Sequence, residues 1–137
     1  MLRVDFISYL TPESRELIRL VSQKGYAIRE NTSACRDREI FGVVNDKSFV
    51  ICLDNIKNKI SPVRLYVNET VIHESVHIAQ DCKGGKLGIN VSLNQYKMQD
   101  VKRSVKATGS NAIIEKEAYH LEDKPEQVLT YLQKYCF

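Results

Sequence analysis

Two of the chain's three histidines, His73 and His77, stand four residues apart, and Glu74 directly follows the first, within "NETVIHESVHIAQDC" (68–82). On a helix, residues four apart lie one above the other on one face. Two imidazoles so placed can ligate one zinc ion at about 2.0–2.1 Å. Glu74 is one step round from His73, close enough to act beside the ion without ligating it. Zinc lowers the pKa of a water that it binds towards neutrality, and a neighbouring carboxylate can take the proton. The residues form the H-E-x-x-H pattern, which points to metal-assisted hydrolysis. The competing reading is an amphipathic helix with incidental histidines. With three histidines in 137 residues, two of them in this register with the glutamate in place, zinc is the better account.

A zinc site needs at least one more protein ligand, expected downstream on an element packed against this helix. "NAIIEKEAYHLED" (111–123) offers Glu115, Glu117 and His120. In the extended-histidine class a third histidine follows six residues after the second; that position is Lys83, so a glutamate is favoured. Ile114, Ala118 and Leu121 mark the buried side of the segment, and Glu115 and Glu117 flank it, so helical phase leaves both open. His120 is the weakest candidate. Gln80 and Asp81, one turn beyond His77, are placed to orient a ligand from behind.

The remaining elements must bring these residues together. "TPESRELIRLVSQKG" (11–25) reads as a helix capped by Thr11, with Pro12 in the first turn and Gly25 at the end. Leu17, Ile18 and Val21 form its apolar stripe. "YAIRE" reads as a short strand, and "EIFGVV" and "SFVICL" as a hairpin about Asn45 and Asp46. "SPVRLYV" is expected to be a further strand or an extended lead-in. The histidine helix is then expected over about Glu69–Cys82, capped by Asn68 and stopped by Gly84 and Gly85. A glycine-rich loop, a short helix in "YKMQDVKRSVK", the helix carrying Glu115, and a last helix from Pro125 complete the chain. The last helix should turn Val128, Leu129, Leu132 and Tyr135 inwards. This is an α+β pattern of one domain, 1–137, with an N-terminal helix, a small mixed sheet of three or four strands, the active-site helix and C-terminal helices.

Hydrophobic residues make up 43% and charged residues 27% of the chain, as in soluble globular proteins. No apolar run approaches the length of a membrane span. The start, "MLRVDFISYL", alternates apolar and polar residues unlike a signal peptide, and reads as a strand or ordered arm. A net charge of +3 is too small to argue for nucleic acid, and "VKRSVK" (101–106) reads as a solvated face or a basic lip beside a groove. Cys35, Cys52, Cys82 and Cys136 include no C-x-x-C pair, which argues against a cysteine zinc knuckle. With no export signal in view, a soluble cytoplasmic protein with reduced thiols is expected.

Glutamate-type zinc peptidases carry E-x-x-A in the helix that supplies the third ligand, and Glu115 and Ala118 match it. More of the chain, from about Cys35 to Glu122, resembles the mitochondrial metalloprotease family that processes and assembles a subunit of the ATP synthase. That family has a strand ending in Cys and then Asn, T-x-x-H-E-x-x-H followed by an acidic residue, Cys and a basic residue, and later E-x-x-A. The matching residues are Cys52, Asn55, Thr70, His73, Glu74, His77, Asp81, Cys82, Lys83, Glu115 and Ala118. Gln80 departs from the family's usual Asp, Asn55 is displaced by two residues, and the family's cysteine before the third ligand is Ala112 or Ile113 here.

The resemblance implies a minimal zincin-like, gluzincin-like domain with one zinc ion on His73, His77 and Glu115, and Glu117 as second choice. Glu74 would be the general base. By spacing, Tyr119, four residues after Glu115, shares its face and reads first as a half-buried aromatic and second as a residue beside metal or substrate. The implied activity is a metalloprotease, cutting a peptide or protein bound in extended form along a sheet edge, "SFVICL" or its neighbour. It also raises the expectation of disulfides, because that family works in an oxidising space. The alternative function is a non-enzymatic, zinc-stabilised interaction or assembly-chaperone module.

Overall fold

The computed structural model describes residues 4–137. Its elements run α1 (Pro12–Gln23), β1 (Ala27–Glu30), β2 (Gly42–Asn45), β3 (Ser48–Ile51), α2 (Leu53–Lys59), α3 (Val63–Lys83), α4 (Gln95–Thr108), α5 (Ala112–Leu121) and α6 (Pro125–Cys136). This is the α+β architecture expected, with a small mixed sheet.

The sheet order is β1-β3-β2, with β1 parallel and β2 antiparallel to β3. Of the two strands expected to offer a free edge, "SFVICL" or its neighbour, β3 is covered on both sides and its neighbour β2 is an edge. The hairpin between β2 and β3 turns on Asp46 and Lys47, with φ of 42° and 62°. Two consecutive positive φ values match the right-handed twist of the strands they join. Phe49, Val50 and Ile51 of β3 are buried, as a central strand requires.

α1 begins as expected: the Thr11 hydroxyl accepts from Ser14 N–H, and Pro12 occupies the first turn. The stretch expected as a strand or arm before it is instead a 3-10 turn over Phe6–Tyr9. Glu30 Oε1 holds that turn by accepting from the N–H groups of Asp5 and Phe6, at 2.9 and 2.7 Å. Residues 1–3 of that stretch lie outside the described residues.

α3 differs most from expectation. It is 21 residues long, and of "SPVRLYV" only Ser61 and Pro62 lead in, while Val63–Val67 form its first turns rather than a strand. Asn68 is not its cap. Its amide lies inside the helix, where Oδ1 accepts from Thr11 N–H and Nδ2 donates to the carbonyls of Tyr9 and Arg64, at 2.8–2.9 Å. The helix is buried on several sides, through Val67, Val71, Ile72, Val76, Ile78 and Ala79, because α1, α5, α6 and the sheet all pack on it. A helix buried all round loses the one-sided periodicity that distinguishes it from a strand.

α2 was also not anticipated; its Leu53 and Ile56 join the core. On α6, Val128, Leu132 and Cys136 are buried, while Leu129 and Tyr135 are half-buried. The basic stretch lies on α4, with Lys102, Arg103 and Lys106 exposed and Val101 buried.

The four cysteines are paired, against the expectation of reduced thiols drawn from the lack of an export signal and in line with the disulfides that the family resemblance made more expected. Cys35–Cys52 ties the segment before β2 to the end of β3, and Cys82–Cys136 ties the end of α3 to the end of α6. The chain path brings each pair to a Cα separation of 5.5 and 5.2 Å, within disulfide reach. Among the described residues no helix is long and apolar enough to cross a membrane.

Candidate metal centre

His73 and His77 project from the middle of α3 with ring centroids 5.2 Å apart. α5 is started by Asn111, whose side chain accepts from Ile114 N–H at 2.9 Å, and this sets Glu115 in its first turn. The Glu115 carboxylate reaches both rings: Oε1 lies 3.2 Å from His73 Nε2 and Oε2 lies 3.1 Å from His77 Nε2. One ligand atom from each of the three residues falls within 4.8 Å of the others, so the group can hold a metal ion.

The far side of each ring is also engaged. His73 Nδ1 is 3.0 Å from Glu122 Oε1, and His77 Nδ1 is 2.8 Å from Gln80 Oε1. Gln80 is fixed in turn, since its Nε2 donates to the Ile114 carbonyl and to Glu117 Oε1 at 3.0 and 2.9 Å. An acceptor at each Nδ1 can hold the ring proton there, which would free the Nε2 lone pair for a metal on the Glu115 side. Two such nitrogens and a carboxylate are the donor set a catalytic zinc takes, with a further position left open.

The electrostatics of the cluster follow from burial opposed by pairing. Burial alone would lower the His73 imidazole, but hydrogen bonds to Glu115 and Glu122 outweigh it and raise it to about 10. His77 is raised in the same way through Glu115. Burial disfavours the charged form of Glu115, yet the two histidines hold its carboxyl well below the usual range. Without a metal, protons therefore occupy the place of the cation.

Glu74 is only 6% exposed and lines the same cleft, and burial raises its carboxyl against the opposing pull of both histidines. The cleft has a volume of about 700 Å³, bounded by β2, the histidine face of α3, α5 and the inner side of α4.

Glu117, the second-choice ligand, is neither a ligand nor a solvated edge residue. It is 2% exposed, and its carboxylate accepts from the N–H groups of Leu87, Gly88 and Ile89 as well as from Gln80. Its task is to anchor the glycine-rich loop to α5. Tyr119 is half-buried and lies beside the His73–His77–Glu115 cluster, with its ring edge-on to His73 at 4.4 Å and its hydroxyl bonded to Ser104. Burial raises its phenol above the ordinary value. Asp81 is exposed at the rim of the cleft, so the orienting role falls to Gln80. His120 faces the Ser92 backbone at 3.3 Å, away from the cluster.

Glu122 was missed from the sequence. It joins His73 to Lys97, whose Nζ is 3.6 Å from Oε2, and stands beside Glu69. Glu69 is pushed up to about 7, first by burial and then by the Glu122 charge. The available signal was spacing: Glu122 is seven residues, two helical turns, after Glu115 and so near its face.

No curated protein and no solved structure matches the chain. A family match covers residues 6–137, and the chain therefore belongs to the family described as Domain of unknown function (DUF8637).

Proposed function

We propose that the chain is a zinc-dependent endopeptidase of the glutamate-ligand type. The observation that carries this reading is the convergence of His73 Nε2, His77 Nε2 and the Glu115 carboxylate beside a buried Glu74 in one cleft. His73, His77 and Glu115 would hold the ion, with Glu122 and Gln80 fixing the ring orientations. Gln80, where the chain departs from the pattern it resembles, still offers His77 an acceptor oxygen.

Bound zinc would supply Lewis acidity to the scissile carbonyl and to the attacking water. Glu74 accepts the proton of that water and passes it to the leaving amine. Burial raises its carboxyl above the ordinary carboxylate value, which favours its holding the proton that it takes. The edge of β2, on the cleft wall, offers backbone donors and acceptors to an extended peptide. The two disulfides favour an oxidising compartment over a cytoplasmic one.

The test is bound zinc, measured by elemental analysis, alongside cleavage of a diverse peptide library. Wild type should hold one zinc per chain and cleave; His77→Ala should lose both; Glu74→Gln should keep zinc and lose cleavage. No stoichiometric zinc in wild type overturns the reading. Zinc without Glu74-dependent cleavage of any library member supports the non-enzymatic zinc-stabilised module instead.

A further inference from the structure

β2 opens at Gly42, which pairs with Ile51 and lines the cleft. Its backbone does not lie in the left-handed region, so conformation alone would admit any residue. Space would not. A Cβ at this position would stand 2.7 Å from Thr70 Cγ2, 2.9 Å from Glu74 Cγ and 3.3 Å from Glu74 Cδ. The first two are closer than real Cβ atoms come. The strand backbone thus rests directly on the stem of the Glu74 side chain.

We propose that Gly42 is the positioning residue for Glu74, its bare backbone forming the wall that holds the carboxylate beside the His73–His77–Glu115 cluster. This rests on the reading of Glu74 as the general base.

Neither side of the contact can easily withdraw. The strand is held by its pairing with β3 and by Cys52 N–H donating to the Phe41 carbonyl at 2.8 Å. Cys52 is itself bonded to Cys35. Opposite, Thr70 is pinned by its hydroxyl donating to the Tyr66 carbonyl at 2.7 Å, and α3 is the buried centre of the fold. The part free to yield is the Glu74 side chain. A methyl at position 42 would turn its carboxylate away, and its contact with Thr70 Cγ2 would add a separate packing cost.

The two contacts can be separated. Thr70→Ser removes Cγ2 but keeps the hydroxyl, so it relieves the packing contact and leaves the Glu74 contact intact. Gly42→Ala should keep one zinc per chain while kcat falls about 10- to 100-fold, the scale set by a misplaced catalytic group. Thr70→Ser should restore much of the thermal stability of Gly42→Ala but not its kcat. In zinc-free protein, the midpoint loss that Gly42→Ala causes in the Thr70→Ser background should vanish once Glu74→Ala is added. Recovery of wild-type kcat by Thr70→Ser, or a midpoint loss that persists after Glu74→Ala, overturns the proposal. The zinc-free arm needs no catalysis, so a wild type without peptidase activity would count against the endopeptidase reading and leave this test standing.

Discussion

Glu115 and Glu117 are two positions apart on α5, and a step of two on a helix turns the side chain through about 200°. One therefore meets the histidines of α3 and the other meets the loop at 87–89. Glu115→Gln should lose stoichiometric zinc with the fold intact. Glu117→Gln should keep zinc but cost about 1–3 kcal/mol of stability, because an amide cannot accept from three backbone N–H groups and Gln80 together. Elemental analysis and urea unfolding of both variants check this; loss of zinc only in Glu117→Gln would reverse the assignment. The cluster also fixes a pH response in metal-free protein. His73 is raised from its ordinary value to about 10, so its pairing stabilises the fold fully below about 6.5 and fades as pH climbs towards 10. Glu74 and Glu69 are also raised, and they lose stability in the same direction. Glu115 is depressed, so its contribution is present above the ordinary carboxylate range and fades on acidification. The zinc-free melting midpoint should thus fall between pH 6.5 and 9, while the stabilisation given by added zinc grows over that interval as the protons leave more readily. A zinc-free midpoint that rises over that interval would contradict this pairing. Of this site, His73, Glu74 and His77 were legible because one helical turn relates them. Glu122 was not singled out although it lies two helical turns after Glu115, because its pairing with His73, 49 residues earlier, is made by packing and belongs to no motif.

At the scale of elements, what the sequence concealed was the reach of α3. Its first turns, "VRLYV", are rich in branched and aromatic residues, as a strand would be, and Asn68 has the chemistry of a cap. Both signals were local. The tertiary fold spends Asn68 on the turn before α1 and buries the apolar residues on several sides, which overrides them. α1 and the hairpin were readable because capping and turn residues act within a few positions. Disulfide pairing was unreadable for the opposite reason, since it depends on where distant segments meet. The loops closed by Cys35–Cys52 and Cys82–Cys136 differ in length, with separations of 17 and 54 residues. Loop-closure entropy then assigns about 3 and about 4 kcal/mol to them. Cys82→Ser/Cys136→Ser should therefore cost more in urea unfolding than Cys35→Ser/Cys52→Ser, and dithiothreitol should lower the wild-type midpoint. If the short loop proves the costlier one to open, native contacts around Cys35 and Cys52 outweigh chain entropy.

On the scale of the molecule, α3 is the axis on which α1, α2, α5, α6 and the β2–β3 hairpin are hung. The core packs round it, Cys82 joins its end to α6, and the Glu115 pairs join its middle to α5. A metal at His73, His77 and Glu115 would replace the proton-mediated pairs between α3 and α5 with bonds to the ion, without being needed for the fold. The core already includes Phe6, Leu17, Phe49, Ile56, Val71, Ile78, Leu121 and Leu132, all buried, in a chain of 137 residues. Domains of this size bury enough surface to fold alone, unlike short zinc modules that unfold when stripped. Chelation should accordingly leave the zinc-free protein folded at 25 °C by circular dichroism and lower its melting midpoint. Returning zinc at a free concentration of 100 times Kd should restore about 2.7 kcal/mol by mass action. Glu74→Gln should regain that stabilisation, because Glu74 lies beside the cluster and not in it, whereas Glu115→Gln should regain almost none. Loss of structure on chelation alone would mean that the metal is an organising part of the fold, and would shift the balance towards the zinc-stabilised module.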